Sequence, residues 1–165
     1  MRFKLGQVDN RIHFQCTICN LNQDHIEALT EDLMRRSITK LLFTLYVPEK
    51  GEKEKFGWDT NAERDSIVER ILKLKHRYPD FILNTVEETE RMFSDKCGIY
   101  TSNCFLKKYV LPLKANLEER MFCCYGDNPD CDRCGSWAVF HYLDQSTATK
   151  NPESKIKNQA VTDGC

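Results

Sequence analysis

A one-sign charge field, a membrane-length apolar run and an export-type leader are all missing from this chain of 165 residues. Its 24 basic and 25 acidic side chains leave a formal net charge of -1, and no long segment carries charge of a single sign. Phosphate-backbone binding depends on clustered positive charge, so no nucleic-acid partner is expected. A bilayer helix needs about 20 predominantly apolar residues in a row, and none occurs, so no membrane partner is expected either. Residues 1–10 lack the apolar stretch of a secretory signal. The expectation is a soluble, cytoplasmic protein of one compact domain with a small appendage.

Cysteine, by contrast, is abundant: nine in all. An odd number without an export signal argues against a disulfide framework, because a reducing compartment would leave such bridges open. Ligation of a metal or cluster is the better reading. Cys97, Cys104, Cys123, Cys124, Cys131 and Cys134 fall in one short stretch, while Cys16 and Cys19 stand near the start and Cys165 ends the chain.

The first half alternates strand and helix patterns. Residues 11–19 (RIHFQCTIC) place Ile12, Phe14, Cys16 and Ile18 on one face and His13, Gln15, Thr17 and Cys19 on the other. Asn22 or Asp24 can cap a helix carrying Ile26, Leu29 and Leu33. Residues 40–47 (KLLFTLYV) read as a second strand, stopped by Pro48 and a charged, solvated connection over 49–55. Thr60 with Glu63 predicts a capping box for a helix through Arg77, its buried stripe formed by Ile67, Val68, Ile71, Leu72 and Leu74. A third short strand over 81–84 and a helix over 86–93, boxed by Thr85 and Glu88, complete the series.

Strand and helix in this alternation imply an α/β fold with parallel strands and right-handed crossovers. One strand face bears His13, Gln15, Thr17, Thr44, Tyr46 and Asn84. Such a face fits either a barrel lumen or the wet side of an edge strand. Three units do not close a barrel, which takes about 250 residues in its complete eight-unit form, so the open strand edges require a cover. The cover is a preceding half of a larger protein, a second copy of the chain, or the C-terminal segment. The division expected is 1–94 for the half-barrel units, 95–145 for a cysteine-rich segment and 146–165 for a disordered polar tail. Within the middle region, 99–106 and 109–115 could pair as a hairpin through Lys107 and Lys108.

The densest chemistry lies at 123–135, CCYGDNPDCDRCG. The two-residue gap between Cys131 and Cys134 lets a tight turn aim both thiolates at one centre. Gly126, Asp127, Asn128, Pro129 and Asp130 supply the turn chemistry that folds Cys123 or Cys124 back toward them. Tetrahedral zinc and an iron-sulfur cluster both accept four thiolates, and the spacing does not separate them. Cys97 and Cys104 are either further ligands or buried free thiols. Cys16 and Cys19 point to opposite strand faces and are set aside.

The succession of these strands and helices, closed by a C-x-[FY]-G-x-N-P-D-C-x-x-C-G run that Cys123, Tyr125, Gly126, Asn128, Pro129, Asp130, Cys131, Cys134 and Gly135 fit, resembles the C-terminal half of a radical SAM protein. The likeness spans roughly residues 11–143. It implies a partial parallel βα barrel with an appended auxiliary-cluster segment. His13, Gln15, Thr17, Thr44, Tyr46 and Asn84 would then line part of the S-adenosylmethionine and substrate cavity. Cys97, Cys123, Cys131 and Cys134 would hold an auxiliary 4Fe-4S cluster, with Cys104 and Cys124 as substitutes. Two features depart from the family. The C-x-x-x-C-x-x-C run of the catalytic cluster is absent, so S-adenosylmethionine chemistry would require the missing half of the barrel, and the chain alone would be inactive. Relatives also carry a further cysteine where Ser136 stands, which leaves the fourth ligand open. The alternative from another class is a non-enzymatic zinc-binding structural or interaction module.

Overall fold

The computed structural model describes residues 13–52, 56–101, 104, 106, 110–120, 123, 125–126 and 128–143. They form a mixed α/β arrangement around a two-stranded parallel sheet. Strand β1, Phe14–Ile18, follows the alternation of its sequence: Gln15 and Thr17 are exposed, while Phe14, Cys16 and Ile18 turn toward the core. It pairs with β2, Leu41–Leu45, in the register Phe14↔Leu41 through Ile18↔Leu45. All five residues of β2 are buried, Thr44 included, so this strand is covered on both faces and is not the wet-faced edge that was one of the two alternatives.

Between the strands, the Asn22 side chain does not cap a helix. It closes the turn after β1, accepting from Cys19 N at 2.9 Å and donating to Thr17 O at 2.9 Å. The chain then enters α1, Ile26–Arg35, through a single 3-10 turn at Gln23–His25. Helix α2, Asn61–Arg77, has the anticipated capping box, with Glu63 N donating to Thr60 Oγ1 and Thr60 N donating to the Glu63 carboxylate. Its buried residues include Ile67, Val68, Ile71 and Leu74, as the stripe predicted, while Leu72 is half-buried. Arg64 joins them.

The third strand shrinks to one parallel bridge, Leu41↔Ile82. Leu41 N donates to Phe81 O and Leu83 N to Leu41 O, at 2.9 and 2.8 Å. Beyond it a side chain takes over the ladder: Phe43 N donates to Asn84 Oδ1 and Asn84 Nδ2 donates to Phe43 O, both at 2.8 Å. One step further, Leu45 N donates to Gly135 O at 2.9 Å. β2 is thus the centre of the assembly. Its first edge belongs to β1, and its second is shared by a short strand, an amide side chain and the cysteine-rich segment.

Helix α3, Val86–Glu90, starts from the expected Thr85 and Glu88 box but stops three residues short of the predicted end. The next helix, α4, Ser94–Thr101, begins where Asp65 accepts from Ser94 N and Oγ at 2.9 and 2.6 Å. This helix overturns the hairpin expected from 99–106, because Ile99 and Tyr100 lie inside it. An antiparallel bridge joins Leu113 to Glu119, while residues 107–109 lie outside the described residues. A last helix, α5, Trp137–His141, buries Val139 and Phe140 in the same core as Ile18, Phe43 and Ile71. The tail expected to be disordered, 146–165, is likewise outside the described residues. Among the described residues no helix is long and apolar enough to cross a membrane.

Candidate functional site

The cysteine-rich run is fastened to the end of β2 by its own backbone. Glu49 and Pro129 form an antiparallel bridge, Lys50 N donates to Asn128 O at 2.8 Å, and Asp130 N donates to Pro48 O at 2.7 Å. The start of the 49–55 connection therefore pairs with the run instead of lying free in solvent. Its residues 53–55 are outside the described residues. Asp130 then turns the chain by accepting from Asp132 N at 3.2 Å, which opens the 3-10 turn Cys131–Arg133. Gly135 passes so close to β2 that a Cβ on it would stand 2.3 Å from Leu45 Cβ. Thr44 Oγ1 lies within 3.2 Å of Gly135 O and accepts from Trp137 N at 3.1 Å. The Thr44 hydroxyl is spent on docking this segment.

That docking gathers four thiols. Cys104, Cys123, Cys131 and Cys134 line one small pocket, closed by Val47, Leu106, Pro129 and Val139. Burial pushes the Cys134 thiol up to about 12, and Cys104, Cys131 and Cys123 press in the same direction by repelling its thiolate. In the metal-free chain this thiol is protonated at neutral pH, so a metal must displace its proton. The remaining void is about 10 Å³, room for roughly one water molecule. As placed, no group of three or more His, Cys, Asp or Glu among the described residues is arranged to hold a metal ion. The donor set is nevertheless the soft, all-sulfur kind that zinc and iron-sulfur clusters take.

Cys97 is not part of this group. It is fully buried in α4, and its Sγ donates to Asp132 O at 2.8 Å. Cys97, expected as the first ligand, is thus absent from the pocket lining, and Cys104, expected as a substitute, is part of it. Cys124 lies outside the described residues. Cys16, held up by burial, lies in β1 and takes no part in the pocket.

A second, larger cleft of about 570 Å³ adjoins the thiols, with Val47 and Tyr125 walling both. Gln15, Thr17, Thr44 and Tyr46 line it together with Glu49, Lys50 and Glu52. Tyr46 OH donates to the Glu52 carboxylate at 2.8 Å. Burial and that carboxylate push the phenol up to about 12. His13 is exposed and lies outside the cleft lining. Asn84 is fully buried and bonded to Phe43, so it serves the sheet in place of a ligand.

Two groups escaped the sequence reading. Glu88 accepts from Trp137 Nε1 at 3.0 Å and lies 2.6 Å from His141 Nδ1, which locks α5 to α3. Nothing in the sequence links residues 49 and 53 positions apart. Arg64 had a faint signal: it stands three and four residues before Ile67 and Val68, on the helix's apolar row. No protein-family model, no curated protein and no solved structure matches this chain.

Proposed function

We propose that the chain is the C-terminal part of a radical SAM protein, in which Cys104, Cys123, Cys131 and Cys134 hold an auxiliary 4Fe-4S cluster beside the substrate cavity. The observation that carries this reading is the placement of four cysteines around one pocket, against the wall of a larger cleft. In this reading β1, β2 and the Ile82 segment are parallel units of a half barrel. Gln15, Thr17, Thr44 and Tyr46 line part of the S-adenosylmethionine and substrate cavity, with the catalytic cluster supplied by a missing N-terminal half. The bound cluster supplies a one-electron redox centre. Four protein thiolates leave no open iron, which favours electron relay or bracing of the fold over substrate coordination. The fit requires the loops around the pocket to part, because the void is far smaller than a cluster.

That narrowness favours a second reading, a single zinc ion on the same sulfurs. Zinc sits about 2.3 Å from each thiolate and needs no cavity beyond them. Anaerobic purification with iron and sulfide reconstitution separates the two. A brown protein that releases iron and sulfide on acid treatment supports the cluster, and a colourless one with a single zinc overturns it. Cys104→Ser, Cys123→Ser, Cys131→Ser and Cys134→Ser should each abolish retention of the metal, while Cys16→Ser and Cys97→Ser retain it. Equal loss in all six variants would show the sulfurs to be wrongly grouped.

A further inference from the structure

Among the described residues, strand β1 is paired on one side only. Its ladder to β2 uses Phe14, Cys16 and Ile18: at its two ends Phe14 N donates to Lys40 O at 3.0 Å and Tyr46 N donates to Ile18 O at 2.8 Å. Alternate residues of a strand direct their peptide groups to opposite sides, so those of Gln15 and Thr17 face the outer edge. Thr17 O accepts from Asn22 Nδ2 there, but among the described residues Gln15 N, Gln15 O and Thr17 N have no partner. An open edge of this kind invites a further strand. The core face asks for one as well, since Phe14 and Cys16 are only half-buried while Ile18 is fully buried.

The chain immediately before β1, which lies outside the described residues, has the sequence pattern to fill this edge. Asp9 and Asn10 are residue types that tolerate the left-handed backbone of a two-residue hairpin turn. Such a turn makes residues 8 and 11 a hydrogen-bonded pair, and with them every second pair after: 6 with 13, 4 with 15 and 2 with 17. Those pairs fall on Gln15 and Thr17, the two residues whose peptide groups are open. The same register sets Leu5 opposite Phe14 and Phe3 opposite Cys16 on the core face, and Lys4 and Arg2 opposite Gln15 and Thr17 on the other. Gln15 and Thr17 line the cleft together with Glu49 and Glu52, so two basic residues would stand on the side of two carboxylates. A slip by one residue would reverse both faces.

We propose that residues 2–8 fold back as an antiparallel strand on the outer edge of β1 and close the sheet on that side. The proposal does not depend on what the cysteines hold. On the half-barrel reading above, a strand from the missing half would join β1 only by displacing this segment.

Amide hydrogen exchange of the full chain, followed residue by residue by NMR, is the test. Measured against the Phe43 amide, which Asn84 holds at the centre of the sheet, the Gln15 and Thr17 amides should lose at least about tenfold in protection when residues 2–8 are removed. Lys4→Pro removes a donor to Gln15 O and should abolish the protection, whereas Gln7→Pro alters a residue whose N–H would face away from β1 and should keep it. Equal relative exchange in the full and shortened chains, or in the two proline variants, overturns the proposal. Should the shortened chain fail to fold, the proline pair decides. Protection that rises with protein concentration and survives removal of residues 2–8 assigns the edge to a second copy and likewise overturns it.

Discussion

Glu88 holds three parts of the fold with one carboxylate: it closes the capping box of α3, accepts from Trp137 and meets His141. Burial pushes its acid up, but the bonds from Thr85 N, His141 and Trp137 more than reverse this and leave it below the ordinary carboxylate range. A carboxyl depressed on folding stabilises the protein above its unfolded value near 4.3, and that stabilisation is lost as pH falls through the lower folded value. Glu88→Gln should therefore cost about 1 to 3 kcal/mol at pH 7 and flatten the acid side of the stability profile. Thermal melts from pH 7 down to pH 3 check it, and parallel curves for the two proteins would refute it. The capping role was legible, since Thr85 and Glu88 have the required three-residue spacing. The bonds to α5 were not, because no local pattern encodes a partner about fifty residues away. Asn84 teaches the same lesson from the other side. Its polarity suggested a cavity, yet a side-chain amide has the donor and acceptor of a peptide group, and here it extends a ladder.

Among the elements, α2 was the most readable, because seventeen residues of helical periodicity and a capping box agree with each other. The short helices α4 and α5 were hidden. α4 carries Gly98 and buries only Cys97 and Thr101, and neither makes an apolar stripe. β2 matches its expected span in part, and Thr44, on its polar face, lines the cleft while its hydroxyl bonds to Gly135 and Trp137. The close approach at Gly135 is where the cysteine-rich segment packs against the sheet. Any Cβ there meets the Leu45 Cβ and approaches its Cα at 3.1 Å, atoms that cannot swing aside. Gly135→Ala should destabilise the chain by about 1 to 3 kcal/mol and reduce metal loading. Denaturant melts and metal analysis of the same sample test this, and an unchanged midpoint with full loading would show that the segment docks elsewhere.

For the molecule as a whole, the four thiols come from separate stretches of chain, so on the proposed reading a bound metal would tie those stretches together. A metal bound only by the folded form stabilises it by mass action, about 4 kcal/mol when free metal exceeds Kd a thousandfold. The loaded protein should thus melt well above the protein stripped by chelator, and coincident melts would mean that the metal does not brace the fold. The sequence by itself determined the α/β alternation, both capping boxes, the buried stripe of α2 and the presence of a sulfur-rich turn. Each of these depends on residues within one helical turn or one strand of each other. Only the tertiary structure decided that Cys104 lines the pocket and Cys97 does not, that Asn84 and Gly135 complete the second edge of β2, and that a buried arginine, Arg64, bonds to the Cys134 carbonyl. Those outcomes depend on which surfaces pack together between residues far apart in the chain, where the free energy comes from burial and hydrogen-bond satisfaction, quantities that local spacing does not carry.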